Sequence, residues 1–581
     1  MKVVLTTLNA KYVHASLALR YLEKYCRQEV AEMIVQEYTI NHTLESITAS
    51  LYKTKADVFA FSCYIWNVGM TLEIAQRLKM VNPKCLIILG GPEVSYDADN
   101  ILQKHAFIDY IILGEGEQTL QQLLGYIRDK KQDLSDVLGV AWRQADKVLV
   151  NNRRQEIETL DCIPSPYTEE DLKKLSDKFI YYETSRGCPF NCSYCLSSTI
   201  EGVRYFSMKR VKEDFLMLIN ANVRLVKFVD RTFNADKQRA MEIFTFLVAH
   251  RKNTSFHFEI AADLLDEEMI AYLKQVPVGL FQFEIGVQSI NPHTIEAITR
   301  KMVFDKVAKN VESLRSAGNI HLHLDLIAGL PYEDYASFAH SFDAVYALQP
   351  HALQLGFLKM LKGSNIRAKA AKHQYIFTNI PPYEVLQNQW LSYGEMIKIK
   401  GIEDVVEKYH NKGGFEKSLA YITSYFYSSP FSFFETLATY FEREGISEVS
   451  HSQKALYDIL FKFYCDCIMG QGTKIFVQYL KFDWVCKHKN TTLPNWAPIL
   501  AETLFKEKCF SFLKDEDNIK QYLPRYKGEA AKKIIKQVHF EIFDIGILAP
   551  LEKNPKEVKT VILFDNKTEN VWDVTKKFFS F

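Results

Sequence analysis

The stretch Glu183-Thr-Ser-Arg-Gly-Cys188-Pro-Phe-Asn-Cys192-Ser-Tyr-Cys195 sets three cysteines in a C-x3-C-x2-C spacing, while the other eight of the chain's 11 cysteines are scattered. Soft thiolates this close together select zinc or an iron-sulfur cluster over hard cations. A structural zinc site closes with four Cys or His ligands, often as two C-x2-C pairs, and neither Cys162 nor Cys465 supplies a second pair. Three ligands on a four-iron cluster leave one iron open, and an open position is what a catalytic metal requires.

With Arg186-Gly187 ahead of the first cysteine and Tyr194 just before the third, this segment resembles the signature of the radical S-adenosylmethionine (SAM) superfamily. The resemblance implies that Cys188, Cys192 and Cys195 hold a 4Fe-4S cluster whose open iron chelates the amino and carboxyl groups of SAM. It also implies that an electron from the cluster breaks a carbon-sulfur bond of SAM, giving a 5'-deoxyadenosyl radical that abstracts hydrogen. The backbone at Tyr194 would contact the adenine.

Lys plus Arg number 71 against 70 Asp plus Glu, so no global field draws the chain to nucleic acid or an acidic membrane surface. Met1-Lys-Val-Val-Leu-Thr-Thr-Leu8 reads as a short strand rather than a signal peptide, and no apolar run is long enough to span a bilayer. The expectation is a cytoplasmic protein with reduced cysteines, which suits a metal cluster and argues against a disulfide framework.

Upstream of the cysteines, short apolar runs alternate with amphipathic ones. Strands are expected at Val3–Leu8, Met33–Ile40, Val58–Ser62, Cys85–Leu89 and Tyr110–Leu113, with helices such as Ser16–Tyr25, Thr71–Met80 and Gln118–Ile127 between them. This is a doubly wound parallel sheet, which binds ligands beyond the carboxyl ends of its strands. Its loops at Tyr12-Val-His14-Ala-Ser-Leu17, Ser62-Cys-Tyr64 and Gly90-Gly91-Pro92 resemble the cobalamin-binding domain of methyltransferases and mutases. The resemblance implies that Ser62 hydrogen-bonds the displaced dimethylbenzimidazole tail and that Gly90 and Gly91 let the backbone approach it. Tyr12 stands where that family has the aspartate that orients a ligating histidine, and Leu17 where it has a glycine. His14 is therefore either a lower axial ligand of cobalt or a loop histidine bonded to backbone. The turn Gly114-Glu-Gly-Glu117 recurs in cobalamin-domain radical SAM proteins, and a hairpin follows over Gly139–Val150.

Downstream, strands are expected at Phe179–Glu183, Leu225–Val229, Phe256–Ala261, Leu280–Ile285, His321–Ile327 and Leu353–Leu358. Six units match the incomplete (β/α)6 TIM-type barrel that the resemblance implies, with catalytic groups at the carboxyl ends of the strands. Asp230, after the second strand, resembles the segment near the SAM amino group. Glu259 on the third is a candidate to hold a SAM amine or ribose. Gln288 and Ser289 after the fourth are candidates for the ribose or carboxylate, and Gly329 after the fifth resembles the segment flanking adenine. For each, a buried polar residue satisfied within the protein is the structural alternative.

Beyond about Ala370 the pattern turns to amphipathic, aromatic-rich helices, at Tyr383–Ile399, Phe431–Arg443 and Gln453–Cys467, with a strand-like finish at Val558–Phe564. The expected organisation is α/β: a cobalamin-binding domain over 1–150, a linker over 151–178, a radical SAM partial barrel over 179–372, and a mainly helical carboxyl-terminal domain over 373–581. The expected cofactors are a 4Fe-4S cluster, SAM and cobalamin, and the expected activity is radical methyl transfer to a small molecule or peptide. A reduced flavodoxin or ferredoxin supplies electrons, and neither membrane nor nucleic acid is an expected partner. A rival is a methylthiotransferase, whose second cluster would need Cys26, Cys63 and Cys85; another is cobalamin-dependent rearrangement without methylation.

Overall fold

In a computed structural model that describes residues 1–131, 133–144, 147–447, 449–488, 492–500 and 504–579, the amino-terminal segment builds one seven-stranded sheet. Its strands are β1 (Lys2–Asn9), β2 (Glu32–Thr39), β3 (Val58–Ser62), β4 (Leu86–Gly90), β5 (Tyr110–Ile112), β6 (Val140–Gln144) and β7 (Lys147–Val150), in spatial order β2-β1-β3-β4-β5-β6-β7. The first five run parallel, and β6 and β7 add an antiparallel edge. Period-two alternation explains why both faces are covered. Val4, Leu8, Phe59, Phe61, Ile87 and Leu89 enter one apolar core, whereas Val3, Leu5, Val58, Ala60 and Ile88 enter the other. The chain leaves β1 for β2 on one side and reaches β3 on the other, so the crevice beyond the ends of β1 and β3 is the topological switch point.

A second sheet has the order β15-β14-β13-β12-β11-β8, from β8 (Ile180–Tyr182), β11 (Leu225–Phe228), β12 (Ser255–Ile260), β13 (Phe281–Gln288), β14 (His321–Ala328) and β15 (Ala352–Phe357). Between the first two of these, β9 (Ser185–Gly187) and β10 (Val203–Tyr205) form a short antiparallel ribbon. Phe258, Phe281 and Phe283 pack against Phe244 of helix Lys237–His250, and Phe228 packs on Phe256 and Phe258, which fixes the outer face of the strands. The residues of opposite parity on β12 to β14 therefore face inward, and they are polar: His257, Glu259, Gln282, Glu284, His323 and Asp325.

The chain divides into two compact units. One comprises residues 1–341, 348–350 and 355–396, and holds the first sheet and most of the second; the other comprises 342–347, 351–354 and 397–581. The second unit is rich in helices, among them Pro430–Arg443, Gln453–Cys467 and Thr473–Lys487, the first two capped by the Ser429 and Ser452 hydroxyls. It also carries a three-stranded antiparallel sheet formed by Val538–Ile545, Glu557–Asp565 and Val571–Asp573. The helix expected over Tyr383–Ile399 begins only at Tyr393. Residues Val385–Gln387 pair as a strand with Ile376–Phe377, and the Asn388 carboxamide oxygen accepts from the amides of Trp390 and Leu391, closing a turn that interrupts helical winding.

Candidate functional site

The β9–β10 ribbon is the stem of the cysteine loop. Gly187, the last residue of β9, has φ +100° and lies so close to the Gly202 carbonyl that any side chain there would strike it. Beyond it, Cys192 is buried while Cys188 and Cys195 are half-buried. The Thr232 hydroxyl lies 3.6 Å from the Cys188 sulfur. The half-buried Arg300 guanidinium donates to the Cys192 sulfur at 3.8 Å, to the Tyr194 hydroxyl at 3.1 Å, and to the Gly286 carbonyl. Burial pushes the Cys192 thiol up, and Arg300 opposes that shift. Among the described residues no three His, Cys, Asp or Glu side chains converge on one ion. A cubane does not ask them to, because each thiolate binds a different iron. Three sulfurs on one loop with N–H and O–H groups at two of them fit a cluster, with Arg300 and Thr232 as its outer support.

Asp230 holds the base of this loop. Its carboxylate accepts from the Thr184 amide (2.9 Å), the Thr184 hydroxyl (2.7 Å) and the Ser185 hydroxyl (2.5 Å) while only 2% exposed. Its oxygens are thus already engaged by the chain that leads into the cysteines.

A cavity of about 820 Å³ opens beyond the ends of β1, β3, β4 and β5. His14, Ser62, Gly90 and Gly91 line it from the sheet, and Tyr181, Glu183, Arg186, Thr199 and Arg231 from the barrel segment. Gly91 has φ +105°, and a Cβ there would come within 2.6 Å of the Cys63 carbonyl, so the β4 turn needs glycine. Tyr64 and Trp66 stack at 4.6 Å on the same wall. The position of Tyr12 gave no orienting partner for His14, but the fold supplies one from 167 residues away: the Tyr181 hydroxyl lies 2.7 Å from Nδ1. His14 also bridges to Phe179, and its carbonyl accepts from Asn9. Burial, with Lys227, Lys11 and Lys178 nearby, pulls its imidazole below the usual range, favouring the neutral ring that a metal needs. Size, mixed lining and position at the switch point fit a corrin.

At the strand ends, Gln288 has φ +72°, follows a register shift in β13, and buries a carboxamide oxygen without a hydrogen-bond partner. Strain with an orphaned acceptor marks a ligand position. Ser289 differs: its hydroxyl donates to Glu333 at 2.6 Å and is fully buried. Gly329 has φ +91°, and its carbonyl accepts from Tyr375 and Asn388. Glu259 lies 4.0 Å from Arg231, and a third of its side chain is accessible; burial still raises its carboxyl to about 7. Below it, His257 lies 3.3 Å from Glu284 and His323 lies 3.4 Å from Asp325. Asp325 is raised to about 8 by burial, then by Glu284 and Glu259. The fold thus adds Tyr181, Arg300, Glu284 and Asp325 to the site; Glu284 and Asp325 had their inward positions on β13 and β14 as the only signal, and Tyr181 and Arg300 had none.

The raised carboxyls carry a stability prediction. The native chain binds more protons than the unfolded one from the ordinary carboxylate range up to about 8, so stability falls as pH rises through that window. Each proton involved contributes a slope of about 1.4 kcal/mol per pH unit. Asp325→Asn is expected to flatten the melting temperature against pH between 5 and 8.5 (about one proton's worth) and to melt above the wild type at the alkaline end. An unchanged slope would refute the assignment.

Comparison with known proteins agrees with this geometry. Residues 3–124 match the family model of the B12 binding domain, residues 182–345 that of the radical SAM superfamily, and residues 371–564 that of a protein family of unknown function, DUF4080. The chain is 26% identical over 355 residues to the cobalamin-dependent radical SAM methyltransferase TokK of Streptomyces tokunonensis, covering 56% of this chain and 50% of that protein. It is 25% identical over 346 residues to the uncharacterized methyltransferase PH0819 of Pyrococcus horikoshii, covering 57% and 74%. The chain thus spans about half the length of the first relative and three quarters of the second. Among solved structures it shares its fold with the cobalamin-dependent SAM radical enzyme OxsB with aqua-cobalamin and S-adenosylmethionine bound, at 14% identity and a TM-score of 0.55 over 85% of this chain and 84% of that one. The chain thus carries a B12-binding domain followed by a radical SAM domain. After them, residues 371–564 form the segment that matches DUF4080.

Proposed function

We propose that this chain is a cobalamin-dependent radical SAM enzyme and that its reaction is methyl transfer. When bound, the cluster and SAM supply a 5'-deoxyadenosyl radical and cobalamin supplies a transferable methyl group. Cys188, Cys192 and Cys195 hold the cluster. The cavity bounded by His14, Ser62, Gly90 and Gly91 takes cobalamin, and Gln288 and Glu259 face SAM, with Tyr194 against its adenine. Asp230, Ser289 and Gly329 act by shaping the loops, since their polar atoms are spent within the protein. The observation that supports the reading is that one cavity is lined both by the B12-binding loops and by Arg186, Gly187 and Leu196, which flank the cysteine loop. Its walls exclude water from radical species, which is the protein's main task in such chemistry.

Residues 1–150 would form the cobalamin domain and 179–372 the catalytic barrel, with 151–178 between them and 373–581 as the carboxyl-terminal domain. The electron donor would be a reduced flavodoxin or ferredoxin, in a cytoplasmic setting; among the described residues no helix is long and apolar enough to cross a membrane. Anaerobic reconstitution with iron, sulfide and hydroxocobalamin is expected to give about four irons and one cobalt per desalted chain. Dithionite and SAM should then yield 5'-deoxyadenosine or S-adenosylhomocysteine. About eight irons with no retained cobalt would defeat the proposal.

A further inference from the structure

The ribbon that carries the cysteine loop is poorly stable by itself. It has three residues on each strand, and its central pair sets Arg186 directly opposite Arg204. Short two-stranded ribbons are marginal in water, and like charges facing each other across an antiparallel pair destabilise it further.

The counter-charges come from outside the ribbon, on the turn Gly114-Glu-Gly-Glu117 of the B12-binding domain. Glu115 takes Arg204 in a two-pronged pair, Nη2 to Oε1 at 2.7 Å and Nη1 to Oε2 at 3.1 Å. Glu117 takes Arg186 Nη2 at 2.6 Å, and Glu115 lies 3.4 Å from its Nη1. Glu183, in the strand-to-ribbon connection, accepts from Arg186 Nε at 2.8 Å. Both arginines and their carboxylates are at most 16% exposed, so solvent screens them little. The fork geometry suits arginine and carboxylate, and removing one partner would leave a buried charge unmatched. Ile157 ties the assembly to the following chain, its amide donating to Glu115 and its carbonyl accepting from Arg204.

The same turn is a wall of the large cavity. Gly114, Glu115, Gly116 and Glu117 line it beside Arg186 and Gly187, and the far side of the cysteine loop returns to it through Thr199, whose hydroxyl lies 2.8 Å from that of Tyr96. A ligand that orders the turn therefore orders the carboxylates that hold the ribbon, and a cluster that orders the loop orders them from the other side.

We propose that Glu115, Glu117, Arg186 and Arg204 form a clamp that couples occupancy of the cavity to assembly of the cluster, so that each cofactor strengthens binding of the other. These are positioning residues. The proposal rests on the two-cofactor reading above. Linkage requires the coupling to be reciprocal: the factor by which the cluster tightens cobalamin equals the factor by which cobalamin tightens the cluster.

The test measures the dissociation constant of hydroxocobalamin by equilibrium dialysis on the full-length protein, with the cluster reconstituted and with it removed by chelation. Wild-type protein is expected to bind about tenfold more tightly with the cluster than without. Iron loss to a chelator should slow by a similar factor when cobalamin is added. Glu115→Gln is expected to bring the ratio close to one while both cofactors still bind. Glu117→Asp, which keeps the charge and changes only reach, should retain part of it and serves as the readout if Glu115→Gln does not fold. A wild-type ratio of one, or a full ratio in both variants, would overturn the clamp and leave the two-cofactor reading standing. Failure to retain cobalamin at all would overturn both.

Discussion

Cys192→Ala is expected to lower bound iron in the reconstituted protein from about four per chain to background and to abolish reductive cleavage of SAM, a loss of at least a thousandfold. The sulfur it removes is the most buried of the three and is the one that Arg300 meets. Without that ligand the guanidinium also loses an acceptor, so the damage extends to Tyr194. The informative contrast is with cysteines in the two cores that flank the first sheet. Cys63 is fully buried, and burial followed by Glu93 pushes its thiol far up; Cys26 is raised in the same way by burial and Glu117. Thiols held neutral in an apolar core are packing groups. Cys63→Ala and Cys26→Ala should therefore leave iron content unchanged, costing about 1–2 kcal/mol of stability through the cavities they open. Loss of about four irons from either would instead favour a methylthiotransferase with a second cluster.

How far the sequence carried this reading depended on the range of the interaction. Elements governed by local pattern were legible: the apolar strand Val3 to Leu8 and the glycine pair at Gly90 and Gly91 follow from neighbours in the chain. Cofactor classes were legible too, because the cysteine spacing is itself local. What escaped were partners distant in sequence and close in space. Tyr12 correctly indicated that the usual orienting carboxylate for His14 was missing, but nothing near it could reveal Tyr181. Asp230 and Ser289 end strands where the resemblance implies contact with SAM, and the fold engages their side chains with Thr184, Ser185 and Glu333. A residue at a strand end can equally point into the loops it supports, and burial with satisfied hydrogen bonds distinguishes the two. Arg186 and Arg204 had no sequence signal as a pair, since their meeting depends on the register of a three-residue ribbon.

That distinction gives Asp230 a large predicted effect of a different kind. Asp230→Ala is expected to cost the first unit about 3–5 kcal/mol, the penalty for stripping a buried anion from its donors. The Thr184 amide and the Thr184 and Ser185 hydroxyls would be left facing a void, and Arg239, which stabilises the carboxylate, would lose its counter-charge. Because burial raises the Asp230 carboxyl while these donors and Arg239 oppose the shift, the site holds an ion only as long as all of them are present. The consequence for function runs through two residues: Thr184 and Ser185 lead directly into Arg186 and the cysteine loop, so losing their anchor should loosen the ribbon before it unfolds the sheet. Hydrogen exchange over residues 180–195 should accelerate by at least tenfold in Asp230→Ala, with iron retention falling in parallel, while exchange in β3 and β4 stays as in wild type. Asp230→Asn separates shape from charge, because its amide group fills the same space and accepts from the hydroxyls while presenting a donor to the Thr184 amide. An asparagine variant with wild-type exchange and normal SAM cleavage would show that packing suffices; one intermediate between wild type and alanine would show that the carboxylate itself fixes the loop. If instead Asp230→Ala kept the loop protected and abolished only SAM binding, Asp230 would be a direct SAM contact and the positioning role assigned to it would be wrong.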